Sequence, residues 1–281
     1  MKPILQENPT LIDLATNQTV PLQVLYQKQH FLHVRFLAKD LPPVGYKCFR
    51  ISYGKEPPPQ APHSYDQTIE NVFYRIKVDP NTGALASIYD KQLQRELVDS
   101  QSPYSFGQYL YVTGGDGNTQ MINPFPTLPP GKLVVHPAAN GRFLGVDRLP
   151  WGDSIRMTSS GLNTPDIETE ILLFNDVKKI EFHYRVHKSY TTDKEGVYFA
   201  FPVALSTPGF AYATQQGWVD PSRNLMKGAS LEWFNIQYWM AAHDPHVAVG
   251  IVPLDTPLAS FGDINRGAWP GVRGRPAAPW A

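Results

Sequence analysis

The sequence predicts an all-β protein, and three observations carry that prediction. Short segments alternate apolar and polar residues, a period of two that fits strands. Prolines number 27 in 281 residues, about twice the usual share, and proline is poorly tolerated inside helices and central strands. No stretch shows the apolar spacing of an amphipathic helix of three turns. A hydrophobic content of 42% is enough for a packed core.

In chain order, "VPLQVLYQ" and "HFLHVRFLA" read as the first strands. They belong to a segment of about residues 1–57, short for an independent core, and are expected to form part of a small β-sandwich. The proline-rich stretch "GKEPPPQAPHSYDQ" follows, and residues 58–69 are expected to act as a stiff linker. "NVFYRIKVD" then alternates, with Tyr74, Ile76 and Val78 on one face and Phe73, Arg75 and Lys77 on the other. "PNTG" supplies turn chemistry, with Gly83 free to take positive φ, and "ALASIYD" returns as the partner strand. "DKQLQRELV" is the best helical candidate, at two turns or fewer. In "SFGQYLYV", Tyr109 and Tyr111 share one strand face, opposite Gln108, Leu110 and Val112. "IETEILLF" and "KIEFHYRVH" form a second expected hairpin around "NDVK", with Ile180, Phe182, Tyr184 and Val186 inward and Glu181, His183, Arg185 and His187 outward. "GVYFAFPVAL" and "HVAVGIVPL" read as later strands. Many short strands with Gly and Pro punctuation favour a sandwich or barrel.

Composition excludes several classes. Lys+Arg and Asp+Glu balance at 25 each, so no basic excess points to nucleic acid or a membrane surface. Cys48 is the sole cysteine, which rules out an internal disulfide and a cysteine-rich zinc site. No apolar run approaches the roughly 18 residues of a membrane span. "MKPILQENPTLID" has no signal-peptide core, which leaves the compartment open, with the cytoplasm favoured.

The residues carry no evident catalytic constellation. His183 and His187 lie about 13 Å apart along a strand, too far to share a metal. His30 and His33 point to opposite faces of one. His243 and His246 in "AAHDPH" come closer to chelation geometry, but a polar loop is the better reading. Glu168 and Glu170 share a strand face about 6.6 Å apart, a separation glycosidases use, yet a solvated face is favoured. "VTGGDGNT" lacks the Lys-Ser/Thr of a phosphate loop, and Asp116–Gly117 reads as a hairpin turn. The aromatic run "LEWFNIQYWM" could stack on sugar rings, although its alternation fits a core better. There is no Gly-x-Ser-x-Gly elbow. Neither a catalytic residue nor a metal ligand is assigned.

"ENVFYRIKVDPNTGALASIYDKQLQRELVD" nevertheless resembles the start of the large C-terminal β domain of family-38 glycoside hydrolases, the α-mannosidases. "VPLQVLYQ" and "AKDLPPVGYKCFRI" look like the short β segment before it. "SFGQYLYVTGGD", "GVYFAFPVAL" and "KGASLEWFNIQYWMAAHDPHVAVGIVPLDTPLASFGDI" resemble later strands, so the likeness spans about residues 18 to 270. It implies a galactose-mutarotase-like supersandwich over residues 70–270, with the non-matching tail "GVRGRPAAPWA" at 271–281. It further implies a retaining, zinc-dependent hydrolase of α-mannosidic bonds. The zinc ligands and nucleophile of that enzyme belong to an N-terminal barrel whose His-x-Asp motif this sequence lacks. The implied partners are that barrel and carbohydrate, with no cofactor held by this chain, which alone is expected to be inactive. The alternative is a stand-alone carbohydrate-binding or scaffold module. Tyr109 matches the tyrosine that this domain lends to the sugar site, and its hydroxyl is expected at the surface. "GWVDPSRN" departs from the family pattern, so Arg223 carries no role.

Overall fold

The computed structural model describes residues 8–28, 31–54, 61–114, 133–226, 233–262 and 264. Among them there is no helix, and none is long and apolar enough to cross a membrane. The first strands are β1 (Asn8–Asp13), β2 (Gln18–Val20), β3 (Leu22–Lys28), β4 (Phe31–Phe36) and β5 (Phe49–Gly54). Next come β6 (His63–Ser64), β7 (Thr68–Glu70), β8 (Tyr74–Asp79), β9 (Ala84–Asp90), β10 (Arg95–Glu96) and β11 (Gln108–Gly114). The long middle strands are β12 (Leu133–Pro137), β13 (Ala139–Leu149), β14 (Gly152–Gly161), β15 (Thr164–Phe174), β16 (Ile180–His187) and β17 (Glu195–Ala200). The last are β18 (Gly209–Thr214), β19 (Gly217–Val219), β20 (Phe234–Asn235), β21 (Met240–His243), β22 (Ala248–Ile251) and β23 (Leu258–Ala259).

Antiparallel pairing groups them into small sheets. Their orders are β2-β1-β5, β3-β4, β10-β9-β8-β7, β12-β11-β17, β16-β15-β14-β13-β6, β19-β18-β21-β22 and β20-β23. One apolar core receives the inner faces of three of them: Ile76, Val78 and Ile88 from β8–β9, Ile155, Met157, Ile171 and Leu173 from β14–β15, and Phe210, Tyr212 and Ala242 from β18 and β21. This is the expected way to hide one face of an alternating strand.

The β8–β9 hairpin forms as its residues dictate. Ile76 faces Ile88 across the pair, and Gly83 closes the turn at φ 70° while its N–H donates to the Asp79 carbonyl. The helical candidate after it is not a helix. Asp90 accepts bonds from the Gln92 and Leu93 N–H groups, Gln94 turns the chain at φ 51°, and β10 pairs back on β9. An aspartate that bonds its own downstream backbone favours a turn over a helix. The Glu96 carboxylate then gathers the N–H groups of Ile88, Leu97 and Val98 and the Ser87 hydroxyl.

Within the stretch read as a linker, β6 adds to the edge of β13 and β7 pairs with β8. Residues 55–60 of the proline-rich run, and the tail at 271–281, lie outside the described residues. The N-terminal strands make two small sheets that meet where Phe36 contacts Phe49 edge-on, with centroids 5.1 Å apart. Arg35 on β4 forks onto Glu170 of β15 with bonds of 2.8 and 2.7 Å, and Ser154 donates to the same carboxylate at 2.6 Å. Beside this fork, Leu37 and Ala61 pack on a second small core of Leu149, Trp151, Leu172 and Phe174.

Candidate functional site

β11 is the centre of its sheet, hydrogen-bonded to β12 on one side and β17 on the other. The chain enters it through Gly107 at φ 85°, where any Cβ would lie 2.6 Å from the Tyr184 hydroxyl. Only glycine fits that approach. Alternation along β11 then sends Tyr109, Tyr111 and Thr113 to one face.

Tyr109 differs from the expectation of a surface hydroxyl. It is 2% exposed, packed with Ala138, Ile167, Val186 and Phe199. The physical reason is the layer opposite: the ring lies 3.5 Å from where a Cβ of Gly161 would stand, so the β14–β15 turn closes over it. Thr164 donates its hydroxyl proton to the Leu162 carbonyl, so Tyr109 is the donor in its 2.8 Å bond to Thr164 Oγ1. Burial pushes the phenol's pKa up, only partly offset by that bond. In this arrangement the ring presents no face to a sugar.

Two residues on, Tyr111 is buried as well, at 1% exposure, and the same face becomes part-exposed only at Thr113. Register places His136, Tyr111 and Val197 in one row across the three strands, and Val134, Thr113 and Glu195 in the next. Val134 and Val197 are exposed. The Tyr111 hydroxyl donates to Glu195 Oε2 and accepts from Asn163 Nδ2 at 2.9 Å. Lys188, just past β16, approaches Glu195 Oε1 at 2.6 Å and also donates to the Ser189 carbonyl. Thr113 Oγ1 and His136 Nε2 lie 3.0 Å apart. Asn163 and Lys188 thus face the β11 sheet from the opposing layer, and the gap between the layers ends in a polar mouth.

The charges there stabilise one another. The bond to Glu195 raises the Tyr111 pKa, while Lys188 holds the Glu195 carboxyl below its ordinary range and is itself raised by it. At neutral pH the mouth carries a neutral phenol, a carboxylate and an ammonium. It has one carboxylate where glycoside hydrolysis needs two flanking the bond.

The other candidates do not assemble into a site. Glu170 is tied up by Arg35, while Glu168 pairs with the exposed Arg185 at 2.8 Å. His33 stacks on Tyr26, and His30 lies outside the described residues. The His243 imidazole lies over Gly209, where a Cβ would sit 2.7 Å from it, and the His246 N–H donates to Asp244. Among the described residues no three or more His, Cys, Asp or Glu side chains are arranged for a metal ion. Arg223 pairs at 3.5 Å with Asp220, the residue that follows β19. The aromatic run divides: Phe234 and Ile236 are core, whereas Trp233, Tyr238 and Trp239 are exposed. Asp116–Gly117 lies outside the described residues.

A family model described as the glycosyl hydrolases family 38 C-terminal domain matches residues 69–255. No characterised protein gives a significant match over the sequence. Among solved structures, the chain is similar to an alpha-mannosidase from Enterococcus faecalis V583, with a TM-score of 0.59 and 14% identity. The likeness covers 88% of this chain and 32% of that one, so the chain spans about a third of its structural neighbour. At that identity the likeness speaks for the fold, and the family model speaks for membership. The chain belongs to the family-38 glycosyl hydrolases, as their C-terminal domain.

Proposed function

We propose that this chain is the non-catalytic β part of an α-mannosidase, acting with a catalytic domain that carries the zinc and the nucleophile. The observation that supports it is the family match over residues 69–255; in addition, the same-face carboxylates Glu168 and Glu170 are each paired with an arginine. Hydrolysis of an α-mannosidic bond with retention needs a placed acid/base and a placed nucleophile. The described residues offer no donor set fit for zinc, so no step is assigned to a metal on this chain. In this reading the domain completes and supports the sugar site and holds the catalytic part in register.

The test is turnover of an aryl α-mannoside. The purified chain should give none, with or without added zinc. The same chain mixed with the separately expressed N-terminal part of a family-38 enzyme should raise that part's activity. Zinc-dependent turnover by this chain alone, abolished by a chelator, would overturn the proposal.

A further inference from the structure

We propose that the mouth formed by Thr113, Asn163, Lys188 and Glu195, with Tyr111 buried beneath it, binds the vicinal hydroxyls of a hexose. The choice of sugar over other polar ligands rests on the glycoside-hydrolase reading above. The choice of place rests on the geometry alone.

Charge is the first argument. Lys188 and Glu195 offset one another at 2.6 Å, so this pair presents no net charge to an anion or a cation. A neutral ligand is the one it suits. The second argument is valence. A carboxylate accepts at about four sites and an ammonium donates three bonds. Glu195 is seen serving Tyr111 and Lys188, and Lys188 serves Glu195 and the Ser189 carbonyl. Both have capacity left, and both are part-exposed, at 21% and 30%. Thr113 and Asn163 add a hydroxyl and an amide oxygen beside them. Donors and acceptors are therefore interleaved over a short distance, which matches hydroxyl groups that each donate and accept.

The third argument is the apolar frame. Val134 and Val197 are exposed diagonally across the same grid of side chains, where the C–H face of a pyranose can cover them. The fourth is rigidity. Tyr111 is itself buried, at 1% exposure, and is fixed from both sides by Glu195 and Asn163. The polar groups are held in place before any ligand arrives, which lowers the ordering cost of binding.

The test uses the chain itself and methyl α-mannopyranoside as the probe, followed by amide NMR. Saturable shifts should centre on residues 111–113, 134, 163, 188 and 195–197. Lys188→Met and Glu195→Gln should each weaken binding at least fivefold, with Arg185→Gln as a control that changes nothing. Shifts centred elsewhere, no saturable binding, or unchanged affinity in both folded variants would overturn the site. If a variant fails to fold, the wild-type shift map still decides. Failure here is separable from failure of the proposed function: restored turnover in the mixed assembly without binding at the mouth removes this site and leaves that reading standing, and the converse removes that reading alone.

Discussion

Replacing Arg35 by methionine should loosen the N-terminal sheets from the main body, and the size of the effect can be worked from the structure. Glu170 has three donors, two from the guanidinium and one from Ser154. Methionine keeps the apolar stem of the side chain and removes two of them. Hydrogen bonds to a charged group contribute about 1.5–3 kcal/mol each, whereas fully exposed ion pairs give about 0–1 kcal/mol. Both side chains here are about one-fifth exposed, at 22% and 21%, so solvent screens part of the gain. The two bonds of one fork are also not independent. A net loss of about 2 kcal/mol follows, equivalent to a fall in Tm of roughly 4–8 °C for a body of this size. The assay is a double-mutant cycle of Arg35→Met and Glu170→Gln, read by urea denaturation. Coupling of about 1–2 kcal/mol is expected. Coupling under about 0.3 kcal/mol would refute the reasoning, because the fork would then hold nothing that solvent does not supply.

Three further outcomes follow from particular residues. Gly141→Ala should cost about 3 kcal/mol or more, because a Cβ there would lie 1.9 Å from the Pro80 carbonyl oxygen; Gly250→Ala, which meets nothing within 4 Å, is the control, and equal melting temperatures for the two would sink the prediction. Tyr109→Phe should cost about 1 kcal/mol by losing its bond to Thr164, measured by thermal melting, and a cost above about 3 kcal/mol would mean that the hydroxyl serves more than that bond. Stability should be lost in acid. Burial pushes the Glu170 carboxyl up, but Arg35 and Ser154 outweigh it, and its pKa lies below the ordinary value. A depressed carboxyl gives its stability above the unfolded pKa of about 4.3 and loses it as pH falls through the folded value. The gap in Tm between wild type and Arg35→Met should therefore be constant from pH 7 to about 5 and close below about 4; comparing the two cancels Asp153, whose carboxyl burial pushes up. A gap that does not narrow at any acid pH where both proteins still fold would contradict the linkage.

Much of the fold was legible where one face of a strand is apolar. The alternation of Tyr74, Ile76 and Val78, and that of Ile180, Phe182 and Val186, gave β8 and β16 their inward faces. β13 and β14 were not legible, although they pair along most of their length. Ser159 is buried on the face of Ile155 and Met157 and Ser154 is buried on the opposite face beside Glu170, and polar residues at buried positions on both faces blur the period of two. Ser154 can be buried because Glu170 accepts its proton, a partner 16 residues away. The turn at Asp90 was missed because its side chain, rather than the apolar pattern, decides the conformation. At the site, alternation put Tyr109 and Tyr111 on one face correctly. What it could not give was the layer opposite. Glu195 and Asn163 stand 84 and 52 residues from Tyr111, and only the pairing of β11 with β17 and the turn before β15 bring them together.

Trp151 has a consequence of its own. It is 5% exposed, in the small core that also receives Leu37 and Ala61, whereas Trp218 is 62% exposed, and Trp233 and Trp239 are also open to water. Among the described tryptophans, then, the buried indole is the one under the N-terminal sheets. Lifting those sheets would wet it and shift its emission to longer wavelength while the main core stayed intact. The chain carries a native optical probe for that one event, separate from global unfolding, and an emission shift that precedes the loss of far-ultraviolet circular dichroism would mark a partly opened state.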